Sequence, residues 1–252
     1  MKPPMGEHES HRRAAAIRQR RNSDRMRSLA HMELVENDEF EPQERTATQR
    51  LADAGKRLMD FVGAVVLLAL LAPLLTLIAI LIKVDSRGPV LFAHRRLGRE
   101  GRHFDCLKFR TMEVDAEQRV FTDEKLRHHY VSNDFKIPLH LDPRITRLGR
   151  FLRRSSIDEL PQLWNVVQGE MALVGPRPIV ALEATHYGDW LPVLLSVRPG
   201  VTGRWAVGGR SHVGYPGRVE VELDYVRSRS LLTDVLILLK TPWAVVTQRG
   251  AI

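Results

Sequence analysis

A single cysteine, Cys106, stands in the 252 residues. No intrachain disulfide can form, as expected of a chain kept on a reducing, cytoplasmic side. Glycine patterns of the Walker or dinucleotide-binding type are missing, which removes the commonest nucleotide signatures. His94, His103, His128, His129, His140, His186 and His212 fall at no metal-ligand spacing and read as surface residues. No internal repeat or low-complexity tract is present. The one long apolar run starts too late, and is too long, for an N-terminal secretory signal.

That run, Phe61 to Ile82, carries no charge. As a helix it would reach roughly 33 Å, enough to cross a bilayer. Lys56 and Arg57 precede it, and Lys83, Arg87, Arg95, Arg96, Arg99 and Arg102 follow it. Positive residues favour the cytoplasmic side, so both flanks ask for the same face, which one straight span cannot satisfy. Pro73 removes a helix hydrogen bond and crowds the preceding turn. The charge symmetry therefore predicts a re-entrant helix over residues 51–87, bent at Pro73, with an ordinary signal anchor that tolerates the proline as the alternative. Residues 1–50 are rich in Arg, Glu and Ser with few large apolar side chains, and read as a mostly disordered tail. Residues 88–252 remain for one cytoplasmic domain of mixed α/β type, richer in helix.

Lysine and arginine number 38 against 30 acids, a formal net charge of +8. Nucleic acid, anionic lipid and phosphorylated substrates all suit that balance, and the apolar run turns the choice to lipid and phosphate. Val90 to Phe92 and Phe104 to Phe109 read as a hairpin across a turn at Arg99-Glu100-Gly101-Arg102. Arg144 to Arg154 reads as a short helix with Ile145, Leu148, Phe151 and Leu152 on one face and four arginines on the other, as at a membrane interface. A second apolar helix, Leu231 to Val246, holds Leu232, Val235, Leu236, Leu239 and Trp243 on one side. Whether that side meets the core or headgroups stays open.

Ser156-Ile157-Asp158-Glu159 opens a helix running to Gly169 and has the form of a capping box. The same two acids, set among Arg144, Arg147, Arg150, Arg153 and Arg154, have a second use. Adjacent carboxylates can hold Mg²⁺ together with water and substrate phosphate, and a carboxylate can attack phosphorus to form an acyl phosphate. Arg177, between Pro176 and Pro178, leaves a stiffened loop and fits a phosphate oxygen pair. Lys108 and Arg110 alternate with Phe109 on a strand, which puts both cations on one face. Arg198-Pro199-Gly200-Val201-Thr202-Gly203 reads as a basic loop able to close over a substrate.

Taken in order, Lys56-Arg57-Leu58-Met59-Asp60, Lys108-Phe109-Arg110-Thr111-Met112, Asp142-Pro143-Arg144-Ile145-Thr146, Ser156-Ile157-Asp158-Glu159-Leu160-Pro161-Gln162-Leu163-Trp164-Asn165-Val166, Leu173-Val174-Gly175-Pro176-Arg177-Pro178, Arg198 to Gly203 and Arg249-Gly250-Ala251 resemble the bacterial sugar transferases, the monotopic phosphoglycosyl transferases. The resemblance covers about Lys56 to Ile252. It implies transfer of a sugar phosphate from a UDP-sugar donor to undecaprenyl phosphate, with release of UMP, as the first membrane step of exopolysaccharide assembly. It implies Asp158 as nucleophile, Glu159 as the acid acting with Mg²⁺, and phosphate binding by Arg177; Lys108, Arg110 and Arg144 are read from their charge and placement as further phosphate-binding residues. It also implies the re-entrant helix, and a catalytic domain on the cytoplasmic face of the bacterial inner membrane, in contact with its lipids. Nucleic acid is not an expected partner, and a homodimer stays open. Ala72 precedes Pro73 where some members carry serine, and His94 replaces a frequent glutamine. The rival readings are a glycosyltransferase that releases UDP, and a membrane-anchored basic scaffold or nucleic-acid-binding protein whose acids only cap a helix.

Overall fold

The computed structural model describes residues 46–116, 120, 122–124, 126, 137, 141–208 and 214–247. Of the tail expected over residues 1–50, the part up to residue 45 lies outside them, as does the closing Arg249-Gly250-Ala251, while residues 47–50 are corrected to the first turn of a helix. A long first helix, α1 (Ala47–Asp85), carries the apolar run. It is the one helix among the described residues long and apolar enough to cross a membrane. The helix is continuous through Pro73. Proline leaves the carbonyl of residue 69 without its usual donor. Just beyond, the Thr76 hydroxyl donates to the Ala72 carbonyl at 2.9 Å. Serine and threonine back-bonds of that kind are common in helices and often accompany bends.

Other described elements pack against α1. Strands β1 (Leu91–Leu97) and β2 (His103–Phe109) form the expected antiparallel hairpin, Leu91 opposite Phe109 and Leu97 opposite His103. Its turn is closed by two left-handed residues, Glu100 and Gly101. Helix α2 (Arg147–Ser155) follows, with the Thr146 side chain accepting from the Gly149 amide. Next come a 3₁₀ turn, Ile157–Glu159, and helix α3 (Gln162–Gln168). Strand β3 (Ala172–Val174) runs parallel to β4 (Gly200–Thr202). Short helices α4 (Ala181–Ala184) and α5 (Leu191–Leu195) lie between them, and α6 (Arg204–Val207), α7 (Gly217–Ser228) and α8 (Leu231–Val246) complete the described domain.

Strand β4 corrects the reading of residues 198–203 as a loop free to close. The two strands approach so closely that a Cβ on Gly200 would lie 2.0 Å from the Gly175 amide nitrogen. Glycine is what that contact requires. Arg198 is turned away to the end of α3, where its Nε donates to the Gly169 carbonyl at 2.7 Å.

Two apolar clusters join α1 to the domain at different heights. Ala64 packs with Phe104, Leu163, Val166 and Leu173, whereas Ile78 and Ile82 pack with Phe109 and Leu152. Each such side chain, fully buried, contributes about 1.5–3 kcal/mol. Polar clamps add to them. Arg57 donates to the Val166 carbonyl at 2.6 Å and the Val167 carbonyl at 2.8 Å, closing the end of α3. Lys56 lies 2.7 Å from Asp234 and 3.1 Å from Asp60, and Asp60 accepts the Leu173 amide. The two cations read as membrane-flanking charge are thus internal ties between helix and domain.

The outer faces are equally informative. On α8, Asp234 and Ile237 turn inward. Leu232, Leu239 and Trp243 stay at least 70% exposed, so the apolar side named from periodicity faces outward. On α2, Leu152 is buried but Phe151 is exposed, beside exposed Arg147, Arg150 and Arg154. The expected single apolar face of that helix is therefore split between core and surface.

Candidate active site

The acid pair sits where the chain reverses between α2 and α3. Ser156 takes the left-handed conformation (φ 57°), and its amide closes α2 by donating to the Leu152 and Arg153 carbonyls. That conformation is costly for a residue with a side chain. It throws Ile157–Glu159 into the tight turn instead of starting a helix. Ser156 makes no side-chain capping bond there, and α3 begins only at Gln162, after Pro161. The capping box is therefore not what these residues build.

Asp158 is 8% exposed. Burial, then the neighbouring Glu159 charge, push its carboxyl up to about 6, against the pull of Lys108 and Arg153. Glu159 accepts from Lys108 Nζ at 2.6 Å. Lys108 comes from β2 and has Phe109 turned to the opposite, apolar side, as the strand alternation required. Arg110 follows the strand and ties its Nη2 to the Ser86 carbonyl at 2.7 Å and hydroxyl at 3.0 Å, just past α1. Arg153, read as outward, turns in. Its Nε donates to the Thr111 hydroxyl at 2.8 Å, burial lowers its pKa, and Asp158 is the first carboxylate that raises it.

These groups share one open cleft of about 1680 Å³. Asp158, Glu159, Lys108, Arg110, Arg153 and Arg177 all line it. Arg177 leaves the loop after β3 with its guanidinium 5.4 Å from the centre of the Trp205 ring. Its backbone amide donates to Glu222 at 3.1 Å. Apolar residues of α1 (Val66, Leu67, Leu71) and α8 (Leu238, Pro242, Val245) line the same cleft.

Arg144 is not among the lining residues. Its Nε and Nη2 make a two-pronged bridge to Asp142 at 2.8 and 2.7 Å, and its side chain is buried. Its described role is to brace the segment before α2. His94 is not the surface residue it was read as. It lines the cleft, its Nδ1 is 3.2 Å from Arg96 Nη2, and burial first, then Arg96 and Lys108, lower its pKa to about 4. The ring is neutral at pH 7. Arg96 in turn donates to the Pro178 carbonyl at 3.1 Å, fixing the far side of the Arg177 loop.

No group of three or more His, Cys, Asp or Glu able to hold a metal occurs among the described residues. Two adjacent carboxylates in a wide cleft fit a hard cation that keeps water and takes substrate phosphate for its remaining ligands.

Residues 51–248 match the bacterial sugar transferase family. The chain belongs to that family. It is 44% identical over 200 residues to the UDP-galactose-lipid carrier transferase of Erwinia amylovora, a stretch covering 78% of this chain and 41% of that one. Against the undecaprenyl-phosphate galactose phosphotransferase of Salmonella typhimurium it is 40% identical over 199 residues, 78% of this chain and 41% of that protein. The exopolysaccharide production protein ExoY of Rhizobium meliloti is 40% identical over 215 residues, with 84% of this chain and 94% of ExoY covered. The chain thus spans about two fifths of the longer relatives and nearly all of ExoY.

Proposed function

We propose that this protein transfers a sugar-1-phosphate from a UDP-sugar to a polyprenyl phosphate, undecaprenyl phosphate in its bacterial setting, as the first membrane step of exopolysaccharide assembly. One observation carries the reading. One cleft is lined both by a buried carboxylate with lysine and arginines and by apolar residues of α1 and α8. A lipid phosphate is an acceptor whose charged and apolar halves suit those two kinds of lining. The names of the relatives, which include an undecaprenyl-phosphate galactose phosphotransferase and an exopolysaccharide production protein, favour the same substrates.

In this reading an Asp158 oxygen attacks the β-phosphorus of the donor. The bond from that phosphorus to the bridging oxygen breaks, and UMP leaves with the electron pair. A phosphate oxygen of the lipid then attacks the same phosphorus and expels the Asp158 carboxylate. Burial leaves Asp158 poorly solvated and therefore reactive once ionised, and Lys108 and Arg153 favour its ionised form. Arg177 and Arg110 meet the phosphate oxygens. Mg²⁺, when bound, would be held by Asp158 and Glu159 and would neutralise charge on the donor phosphates.

The same proposal includes a bent, re-entrant α1 on the cytoplasmic face of the inner membrane. The support is that the domain touches α1 from Asp53, which pairs with Arg229, to Ile82, which packs with Phe109. That length is roughly 44 Å of helix. Contacts near both ends of the apolar run favour a domain that lies on one side of the bilayer. The exposed apolar side of α8, and Phe151 with its neighbouring arginines, suit headgroup contact.

The test is nucleotide release by the purified protein given Mg²⁺, undecaprenyl phosphate and a panel of UDP-sugars. UMP from the wild type, and none from Asp158→Asn, is expected. Release of UDP instead, or retained turnover in Asp158→Asn, would sink the covalent mechanism.

A further inference from the structure

Behind the Arg177 loop lies a carboxylate that the reaction above does not use. Glu222, on α7, is 1% exposed. Its Oε2 accepts the Arg177 backbone amide at 3.1 Å. Its Oε1 has no hydrogen-bond partner and stands 3.8 Å from Nε of Arg218, one helical turn earlier. Arg218 and Arg177 both line the cleft. Arg218 also lies over the Tyr215 ring at 5.9 Å, as Arg177 lies over Trp205.

A carboxylate costs heavily to bury unless it is paired, and this one is only loosely paired. Burial pushes its carboxyl up to about 7, against the pull of Arg218 and Arg177. A residue serving packing alone would be better as glutamine or leucine. The charge has one evident use. It is the counter-ion behind two arginines whose other sides face an anion site, and it fixes one of them through the backbone.

We propose that Glu222 is a positioning residue for the donor diphosphate. It holds the Arg177 loop by its amide and sets the Arg218 guanidinium in the cleft before the anion arrives, which reduces the ordering lost on binding. This deepens the phosphosugar-transfer reading and rests on it. Arg218 becomes a second phosphate-facing arginine beside Arg177, on a wall of the cleft built by α7.

The experiment pairs calorimetric binding of UDP, as the probe, with steady-state UMP release in Glu222→Gln, Arg218→Gln and the double variant. Glutamine keeps an acceptor for the Arg177 amide and removes only the charge. UDP affinity in Glu222→Gln should fall about tenfold, as expected when an arginine no longer pre-set must be ordered on binding. The loss should appear in KM far more than in kcat, with an unfolding midpoint no lower than that of the wild type. Arg218→Gln should lose a similar factor, and the double variant little more than either single, because both act through one contact. Unchanged UDP affinity in Glu222→Gln, fully additive losses, or a drop in midpoint with KM and kcat falling together would each overturn the proposal. A wild type that binds no UDP and releases no UMP would instead overturn the transfer reading itself, so the two failures are separable.

Discussion

Lys56→Met tests whether the membrane helix and the domain fold as one body. The substitution keeps the stem length and a good helix former, and removes an ammonium 2.7 Å from Asp234 and 3.1 Å from Asp60. Those carboxylates are 0% and 2% exposed. Asp234 would retain the Tyr225 hydroxyl at 2.8 Å, and Asp60 the Leu173 amide at 3.1 Å. Both donors are neutral. Removing one partner of a buried ion pair costs about 3–5 kcal/mol. One cation here serves two anions, so the upper part of that range is expected. A domain of ordinary stability has about 5–15 kcal/mol in all, and the variant should be visibly weakened. Adding Asp234→Asn to Lys56→Met relieves one stranded charge and should restore about 1–3 kcal/mol. Denaturant unfolding in lipid nanodiscs measures all three proteins. A Lys56→Met cost under about 1 kcal/mol would refute the reasoning, because that is the value of an exposed pair. Lys56 would then be only a charge flanking the membrane.

Gly149→Ala should damage the site without touching a reacting group. The new Cβ would meet the Thr111 carbonyl oxygen at 2.0 Å, and Thr111 is the hydrogen-bond partner of Arg153. A loss of about 1–3 kcal/mol, together with reduced turnover, is expected from thermal unfolding and UMP release, and wild-type values in both would contradict it. Asp158→Asn should abolish turnover yet stabilise the metal-free protein. A folded pKa of about 6 against the ordinary 3.8 means that the folded state holds the proton more tightly. The penalty for ionising Asp158 is thus absent below about pH 4, grows between 4 and 6, and reaches about 3 kcal/mol above 6. Unfolding in chelator at pH 7.5 should therefore show a gain in the variant that disappears at pH 4. A loss at pH 7.5 would mean that the acid braces the turn.

Much of this was legible because it is local. The β1–β2 hairpin announces itself by alternation around a turn, and Phe109 and Lys108 part company as strand parity demands. Helix α8 begins and ends where its apolar pattern does. The acid pair and the arginine between two prolines stood out from chemistry in the sequence. The misreadings share one cause, which is a partner distant in sequence. Arg153 carries a charge that periodicity assigns to solvent, yet it is drawn in by Thr111 and Asp158. Strand β4 is hidden by its glycine and the preceding proline, and exists because β3 offers an edge. His94 gained its place from Arg96 and the cleft wall. Arg144 is the exception, since its partner Asp142 lies two residues away and the bridge was open to inspection. Glu222 looked like any acid on a charged helix, and nothing nearby in sequence links it to Arg177.

The way α1 is tied down accounts for the position of the site. A group attacking a phosphate at headgroup height must be held in register with the bilayer, and a flexible tether cannot do that. Here Asp60 of α1 accepts the amide of Leu173, on the strand that leads into the Arg177 loop. Beyond the other end of α1, Ser86 receives two hydrogen bonds from Arg110, two residues past Lys108 and its partner Glu159. The segments that carry Arg177 and Arg110 are therefore tied to the residues that flank the apolar run on both sides. In a bent, re-entrant helix those flanks come to the same surface, and the cations they hold come with them. In the proposed reading one helix then serves twice: it would anchor the protein, and Val66, Leu67 and Leu71 of its apolar middle, which line the cleft, would offer the lipid chain a wall.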